Sequence, residues 1–303
     1  MKILITGVTG QLGYDVAREA TRRGHDVVGT GRADDTYCRT YVKCDITNEY
    51  DIYRLISLVR PDAVIHCAAW TNVDKAEEYP DECFQVNCIA TKNIAQACAA
   101  ADIKMLYVSS DYVFGGAHMA STEPHPACKF PSEGVNVYGH SKLMGELMVR
   151  HTLDKAFIVR TSWVFGYNGK NFVKTMLNLG KTRNEITVVC DQIGRPTYTV
   201  DLAKLLVNMI ETDKYGTYNA CNEGDNVSWF DFARKIYALS GNSQITIKPV
   251  KTEDYELAKA KRPLNSRMST EELQHFGFEQ LPNWEDALYR YLIEIGEINE
   301  VHK

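Results

Sequence analysis

Apolar and polar positions alternate along the first half of the chain in two rhythms. Lys2–Thr6 is a continuous β-prone run, and Gln11–Gly24 follows with helical spacing. His25–Thr30 and Tyr41–Cys44 are short apolar runs that predict strands, and Asp51–Arg60 predicts a helix that ends before Pro61. Asp62–His66 predicts another strand, Glu82–Ala101 one long helix, and Lys104–Ser109 a further strand. Strands apolar on both faces, separated by amphipathic helices, predict an α/β fold with a doubly wound parallel sheet. The second half is less regular. Val137–His151 and Phe172–Leu179 predict helices, and Phe157–Thr161 and Thr187–Cys190 predict strands. Asp201–Glu211, Trp229–Ser240 and Trp284–Ile295 carry helical apolar stripes. Gly115–Val135, rich in Pro, His and Ser, reads as a surface loop and a candidate lid.

Composition narrows the setting. The 303 residues are 45% apolar and 24% charged, with a net charge of −5, which is ordinary for a globular chain. An acidic balance offers no general attraction to nucleic acid or an anionic membrane. No apolar run approaches the length of a membrane span, and the N-terminal run is too short for a signal peptide. The nine cysteines are scattered without a C-x-x-C pair. That pattern predicts core thiols in a reducing cytoplasm rather than disulfides or zinc.

Chemistry enters with Gly7-Val8-Thr9-Gly10-Gln11-Leu12-Gly13, a G-x-x-G-x-x-G turn between the first strand and first helix. Glycines let backbone approach a pyrophosphate, and a helix N-terminus favours its charge. The turn therefore predicts a dinucleotide site. Its spacing resembles that of the extended short-chain dehydrogenase/reductase superfamily. The second strand ends in Thr30-Gly31-Arg32, with Asp34 and Asp35 beyond. Arg32 suits the 2′-phosphate of NADP as a guanidinium fork, so NADPH is expected, with NADH use left open. Asp45 and Ile46 stand where the superfamily places its adenine contact, although Asp45 also reads as a turn or cap residue. His66-Cys67-Ala68-Ala69 occupies the position of a cofactor-lining loop, where small side chains permit close approach.

Tyr138 and Lys142 form Tyr-x-x-x-Lys on one face of a predicted helix. A free phenol titrates near 10, and a neighbouring ammonium is expected to lower that value. The third member is a hydroxyl at the end of the strand before it: Ser110 is the better match and Ser109 the fallback. Asn87, in the preceding helix, resembles the superfamily's structural asparagine.

Ser109-Ser110-Asp111-Tyr112-Val113-Phe114 and Asn136-Val137-Tyr138-Gly139-His140-Ser141-Lys142-Leu143 resemble segments of the dTDP-4-dehydrorhamnose reductases. So do Arg160–Phe165, Asn171–Val173, Asp191–Thr197 and Lys261–Ser266, which together span nearly the whole chain. The resemblance implies a dinucleotide-binding Rossmann-type domain, mainly residues 1–165. It also implies a smaller α/β substrate lobe, mainly 166–303, with some segments returning to the first domain. It implies NAD(P)H-dependent reduction of the 4-keto group of dTDP-4-dehydro-L-rhamnose. Ser110, Tyr138 and Lys142 would be catalytic. Asp111, Tyr112 and Trp163 would contact the sugar, and Arg195 and Arg262 would be candidates for the diphosphate or nucleotide. Some members form magnesium-bridged dimers through glutamates that have no secure match here, so magnesium use and a monomer or homodimer both stay open. Ser110 replaces the commoner Thr and keeps the hydroxyl, while Gly115 stands where Asp often follows Phe. A 4,6-dehydratase fits less well, because Asp111-Tyr112 lacks its second carboxylate. A 4-epimerase, or a regulatory subunit resembling the methionine adenosyltransferase beta subunit, is the remaining alternative.

Overall fold

The computed structural model describes residues 1–33, 38–115, 124–127, 131, 134–242, 244–255 and 259–299. Asp34, Asp35 and much of the expected lid segment lie outside them. Seven parallel strands form the central sheet. They are β1 (Lys2–Thr6), β2 (Asp26–Gly31), β3 (Thr40–Lys43), β4 (Ala63–His66), β5 (Lys104–Ser110), β6 (Ala156–Thr161) and a seventh, Gly216–Asn219. Across the sheet the order is Gly216–Asn219, β6, β5, β4, β1, β2, β3. The order reverses direction at β1, where such sheets open a crevice at their carboxyl ends.

Both faces are covered, as the apolar-on-both-sides strands require. Helices α1 (Gln11–Arg22) and α8 (Thr199–Ile210) bury Val16, Leu202, Leu206 and Met209 against Ile3, Ile5 and Val159. Helices α2 (Glu49–Val59), α5 (Ala90–Ala100) and α6 (Val137–Thr152) cover the other face, with Ile52, Ile94 and Val149 against Leu4, Val64 and Ile158. Thus α8 and the seventh strand, both late in sequence, belong to this sheet and its helical layers. A separate core packs α7 (Phe172–Gly180), α9 (Trp229–Leu239) and α11 (Trp284–Glu294) around Phe165, Phe232, Trp284 and Tyr291. Its parallel strand pair, Glu185–Val189 and Thr246–Val250, lies apart from the main sheet.

One expectation is refined and another corrected. The helix expected over Glu82–Ala101 runs unbroken from Pro80 to Ala100, as α4 (Pro80–Phe84), a π-turn at Gln85–Ile89 and then α5, with α3 (Val73–Glu78) before it. Through the π-turn Asn87 reaches the loop after β4: its amide accepts from Trp70 N (2.8 Å) and donates to Trp70 O (3.1 Å). The described part of Gly115–Val135 is not a surface loop. His125 is buried, its ring stacks on Phe114, and its backbone N–H donates to Arg267 O. Among the described residues no helix is long and apolar enough to cross a membrane, and the eight described cysteines are free thiols.

Candidate active site

The crevice at the carboxyl end of the sheet is a cavity of about 910 Å³. At one end lies the glycine turn. Gly7 adopts φ +69° and packs so closely on Ala68 that a Cβ would sit 2.7 Å from its N and Cα. Gly13 packs against the turn itself, since a Cβ there would lie 2.3 Å from Gly7 O. Gly7, Gly10, Gln11 and Leu12 line the cavity, whereas Gly13 permits the packing from behind. Gly10 caps α1 without a side-chain acceptor, leaving backbone N–H groups at the helix start for an anion. The Gln11 side chain is engaged elsewhere: it donates to Val164 O (3.1 Å) and accepts from Asn171 (2.9 Å).

Gly31, the exposed Arg32, Asp45, Ile46, Cys67, Ala68 and Ala69 continue the wall. Asp45 also makes a local turn, accepting from Thr47 N (3.0 Å) and Thr47 Oγ1 (2.8 Å). This open groove, built from glycine backbone, small side chains and the exposed Arg32 guanidinium, fits a dinucleotide phosphate.

The chemistry-bearing side chains gather at the end of β5. The β5–β6 register sets Ser110 beside Thr161 and Ser109 beside Arg160. Ser109 Oγ donates to buried Glu146 (2.6 Å), which also pairs with Arg160 Nε (2.8 Å) and Nη2 (2.7 Å). Ser110 lies within hydrogen-bonding reach of the Tyr138 phenol. It donates to Asp111 Oδ1 (2.9 Å) and accepts from Tyr112 N (3.3 Å). Of the two candidate hydroxyls, Ser110 is therefore the one beside the phenol.

Helix α6 starts at Asn136, whose side chain accepts from Gly139 N (2.9 Å), and so carries Tyr138 and Lys142 to the cavity. Lys142 Nζ donates to Val108 O (2.8 Å) and rests 4.1 Å from the centre of the Tyr107 ring. Burial lowers the Lys142 ammonium to about 7, partly countered by Glu146. Burial likewise pushes the Tyr138 phenol above its ordinary range, with Ser110 opposing. This is the reverse of the expected lowering by lysine, because desolvation of the phenolate is the largest influence.

The substrate candidates divide. Asp111, Tyr112 and Trp163 line the cavity. The Asp111 carboxylate is occupied by Ser110 and by Ser266 Oγ (2.5 Å), and burial raises it to about 6. Tyr112 meets Tyr138 edge-on at 5.4 Å. Arg195 lies off the cavity lining: it binds Glu223 (3.2 Å) and Met268 O (2.6 Å). Arg262 also lies off the lining and pairs with Asp74 (2.6 Å), but it stands within reach of Tyr112. Sequence reading missed Ser266 as a partner of Asp111. It also treated Trp229, another lining residue, only as the start of an amphipathic helix.

A doubly wound parallel sheet, a glycine turn after β1 and a Tyr–Lys helix beside a serine-tipped β5 define the extended short-chain dehydrogenase/reductase class. The family model "RmlD substrate binding domain" matches residues 1–296, and the chain belongs to that family. A dTDP-4-dehydrorhamnose reductase of Aggregatibacter actinomycetemcomitans is 35% identical, over 95% of this chain and 97% of its own. The spore coat polysaccharide biosynthesis protein SpsK of Bacillus subtilis is 34% identical, over 97% of each. Among solved structures, dTDP-4-dehydrorhamnose reductase of Bacillus anthracis in complex with NADP superposes with a TM-score of 0.87. It is 40% identical, with 97% of this chain and 99% of that chain covered.

Proposed function

We propose that this chain reduces the 4-keto group of dTDP-4-dehydro-L-rhamnose to give dTDP-L-rhamnose, with NADPH preferred over NADH. The observation that carries the reading is the meeting of Ser110, Tyr138 and Lys142 in one cavity with the glycine turn. The names of the relatives support the choice of sugar nucleotide. When bound, the reduced dinucleotide supplies the hydride.

The chain's own residues do the rest. The glycine turn and the start of α1 hold the pyrophosphate, Arg32 the 2′-phosphate, and Asp45 and Ile46 the adenine end. Cys67, Ala68 and Ala69 admit the cofactor closely. Tyr138 is neutral near pH 7, since burial raises its phenol, and it gives its proton to the C4 oxygen of the sugar. Ser110 turns its single hydroxyl proton from Asp111 to that oxygen when the sugar binds, and so steadies the charge developing there. Lys142 holds the ribose. Tyr112 and Trp163 contact the hexose, and Arg262 lies near enough to Tyr112 to meet the diphosphate. Residues 1–165 mainly serve the cofactor and 166–303 mainly the substrate, in a cytoplasmic monomer or homodimer.

The test follows oxidation of NADPH, and separately NADH, by the protein with enzymatically made keto-sugar, with EDTA and magnesium arms to read metal dependence. Tyr138→Phe should lower kcat roughly 100- to 10,000-fold while NADPH Kd changes less than about twofold. Unchanged turnover in that variant would remove Tyr138 from the chemistry.

A further inference from the structure

Four tryptophans are present, and two of them have their indole N–H groups used by the protein. Trp70 Nε1 donates to Asn72 O (2.9 Å), and Trp284 Nε1 to Asp225 O (3.0 Å). The other two, Trp163 and Trp229, have no indole hydrogen-bond partner among the described residues, and neither nitrogen is a buried orphan. These two stack face to face, with centroids 3.7 Å apart and planes 11° from parallel. Both line the cavity that holds Ser110 and Tyr138.

Trp163 needs support. Its backbone lies in the left-handed region, at φ +48°. A bulky residue persists there only when its surroundings hold it. Two neighbours do so. Gly194 comes so close that a Cβ would stand 2.9 Å from Trp163 Cε2, and Trp229 covers one indole face. Trp229 is itself backed by Phe172 at 4.5 Å. It sits first on α9, directly after Ser228, whose hydroxyl accepts from Asp231 N (3.0 Å) in a capping box. A rigid helix start therefore fixes Trp229, and Trp229 fixes Trp163.

We propose that Trp229 is a positioning residue for sugar recognition: it locks Trp163 in its left-handed turn. The stacked pair then forms an aromatic wall with indole N–H donors at its edges. Such a wall suits a pyranose, which presents apolar C–H bonds to a ring face and hydroxyls to donors at the rim. This proposal rests on the reductase reading, and its role is in KM rather than in proton transfer.

The experiment compares the full-length unmodified protein with Trp229→Ala and Trp229→Phe. Steady-state kinetics with the keto-sugar, NADPH Kd and near-ultraviolet circular dichroism are measured on each. In Trp229→Ala the expected result is a KM for the sugar at least tenfold higher, with kcat within threefold and NADPH Kd within twofold. The exciton signal of the stacked indoles should disappear. Trp229→Phe should restore KM to within about threefold, since a phenyl ring can still cover Trp163. An unaltered KM in Trp229→Ala would overturn the proposal alone. So would a joint loss of kcat, KM and NADPH binding that Trp229→Phe fails to rescue, because that is general structural damage. No keto-sugar turnover by the unmodified protein would overturn the reductase reading and this proposal together.

Discussion

Ser109 and Ser110 are adjacent, chemically identical, and buried to similar degrees, yet they face different neighbours. Alternation along a strand sends them to opposite sides of the sheet. Ser109 meets Glu146 and the Arg160 pair, whereas Ser110 meets Asp111 and the Tyr138 phenol. The two alanine variants should therefore separate cleanly. Ser110→Ala should lower kcat roughly 10- to 100-fold with little change in melting temperature, because it removes a donor near the reacting oxygen. Ser109→Ala should leave kcat within a few-fold but cost about 1–3 kcal/mol of stability, since a buried carboxylate loses a hydrogen bond. Kinetics and thermal melts on both variants check this, and the assignment fails if the catalytic loss follows Ser109. In the sequence the resemblance of the motif favoured Ser110 and kept Ser109 only as a fallback. What separates them is Glu146, one turn beyond Lys142, and Arg160 on the neighbouring strand, a contact that no local pattern encodes. The same holds for Asp111. Its motif marked it as a sugar contact, but nothing nearby in sequence announces Ser266, which takes its second oxygen.

At the scale of elements, the strands and helices that the sequence predicted lie close to where they were expected, but Gly216–Asn219 of the central sheet, Thr246–Val250 and α3 were not among them. β1 and the start of α1 fall where the apolar run and the glycine turn place them. Their signals are local: period, cap and turn. The π-turn at Gln85–Ile89 was not legible, because one extra residue per turn leaves composition and apolar spacing nearly unchanged over so short a stretch. Its purpose is in the third dimension. Asn87 ties the loop after β4 to α6 by bonding both backbone groups of Trp70 and the Ser141 hydroxyl (2.9 Å). Asn87→Ala leaves Trp70 N and O without these partners. It should cost about 2–4 kcal/mol and weaken NADPH binding several-fold, because Cys67, Ala68 and Ala69 precede Trp70 on the cavity wall. Chemical denaturation and cofactor titration read the two effects. A variant that loses stability but binds NADPH with undiminished affinity would show that this loop keeps its shape without the asparagine.

The whole molecule joins its two cores through contacts between distant segments, and these were the least legible of all. Asn168 donates to Thr9 O (2.8 Å), and Asn171 reaches both Gln11 and Tyr291, so residues after β6 brace the glycine turn. A similar junction surrounds Asp15 on α1. Its carboxylate accepts from Thr199 of α8 (2.5 Å) and from Arg18 (3.3 Å), and Arg18 also holds Glu294 of α11 (3.2 Å). Glu294 in turn accepts from Tyr198 (2.6 Å), whose ring lies under Arg290. Burial, reinforced by Glu294, raises the Asp15 carboxyl to about 6 despite Thr199 and Arg18. The native state thus favours protonated Asp15 more than the unfolded chain does. That preference contributes stability fully below about pH 4, and the contribution disappears as pH rises through 6. Glu19, lowered to about 2 by Arg22 and Arg23, acts oppositely: its contribution is present above about 4.5 and is lost in acid. Asp15→Asn removes the first effect and leaves the second. Between pH 4.5 and 8 the unfolding free energy of the variant should improve relative to the unmodified protein by about 2 kcal/mol, whatever offset the lost charge causes at pH 4.5. Urea unfolding of both proteins at several pH values measures the difference directly. Parallel stability curves would mean that Asp15 is already ionised in the folded protein, with Arg18 compensating for its burial.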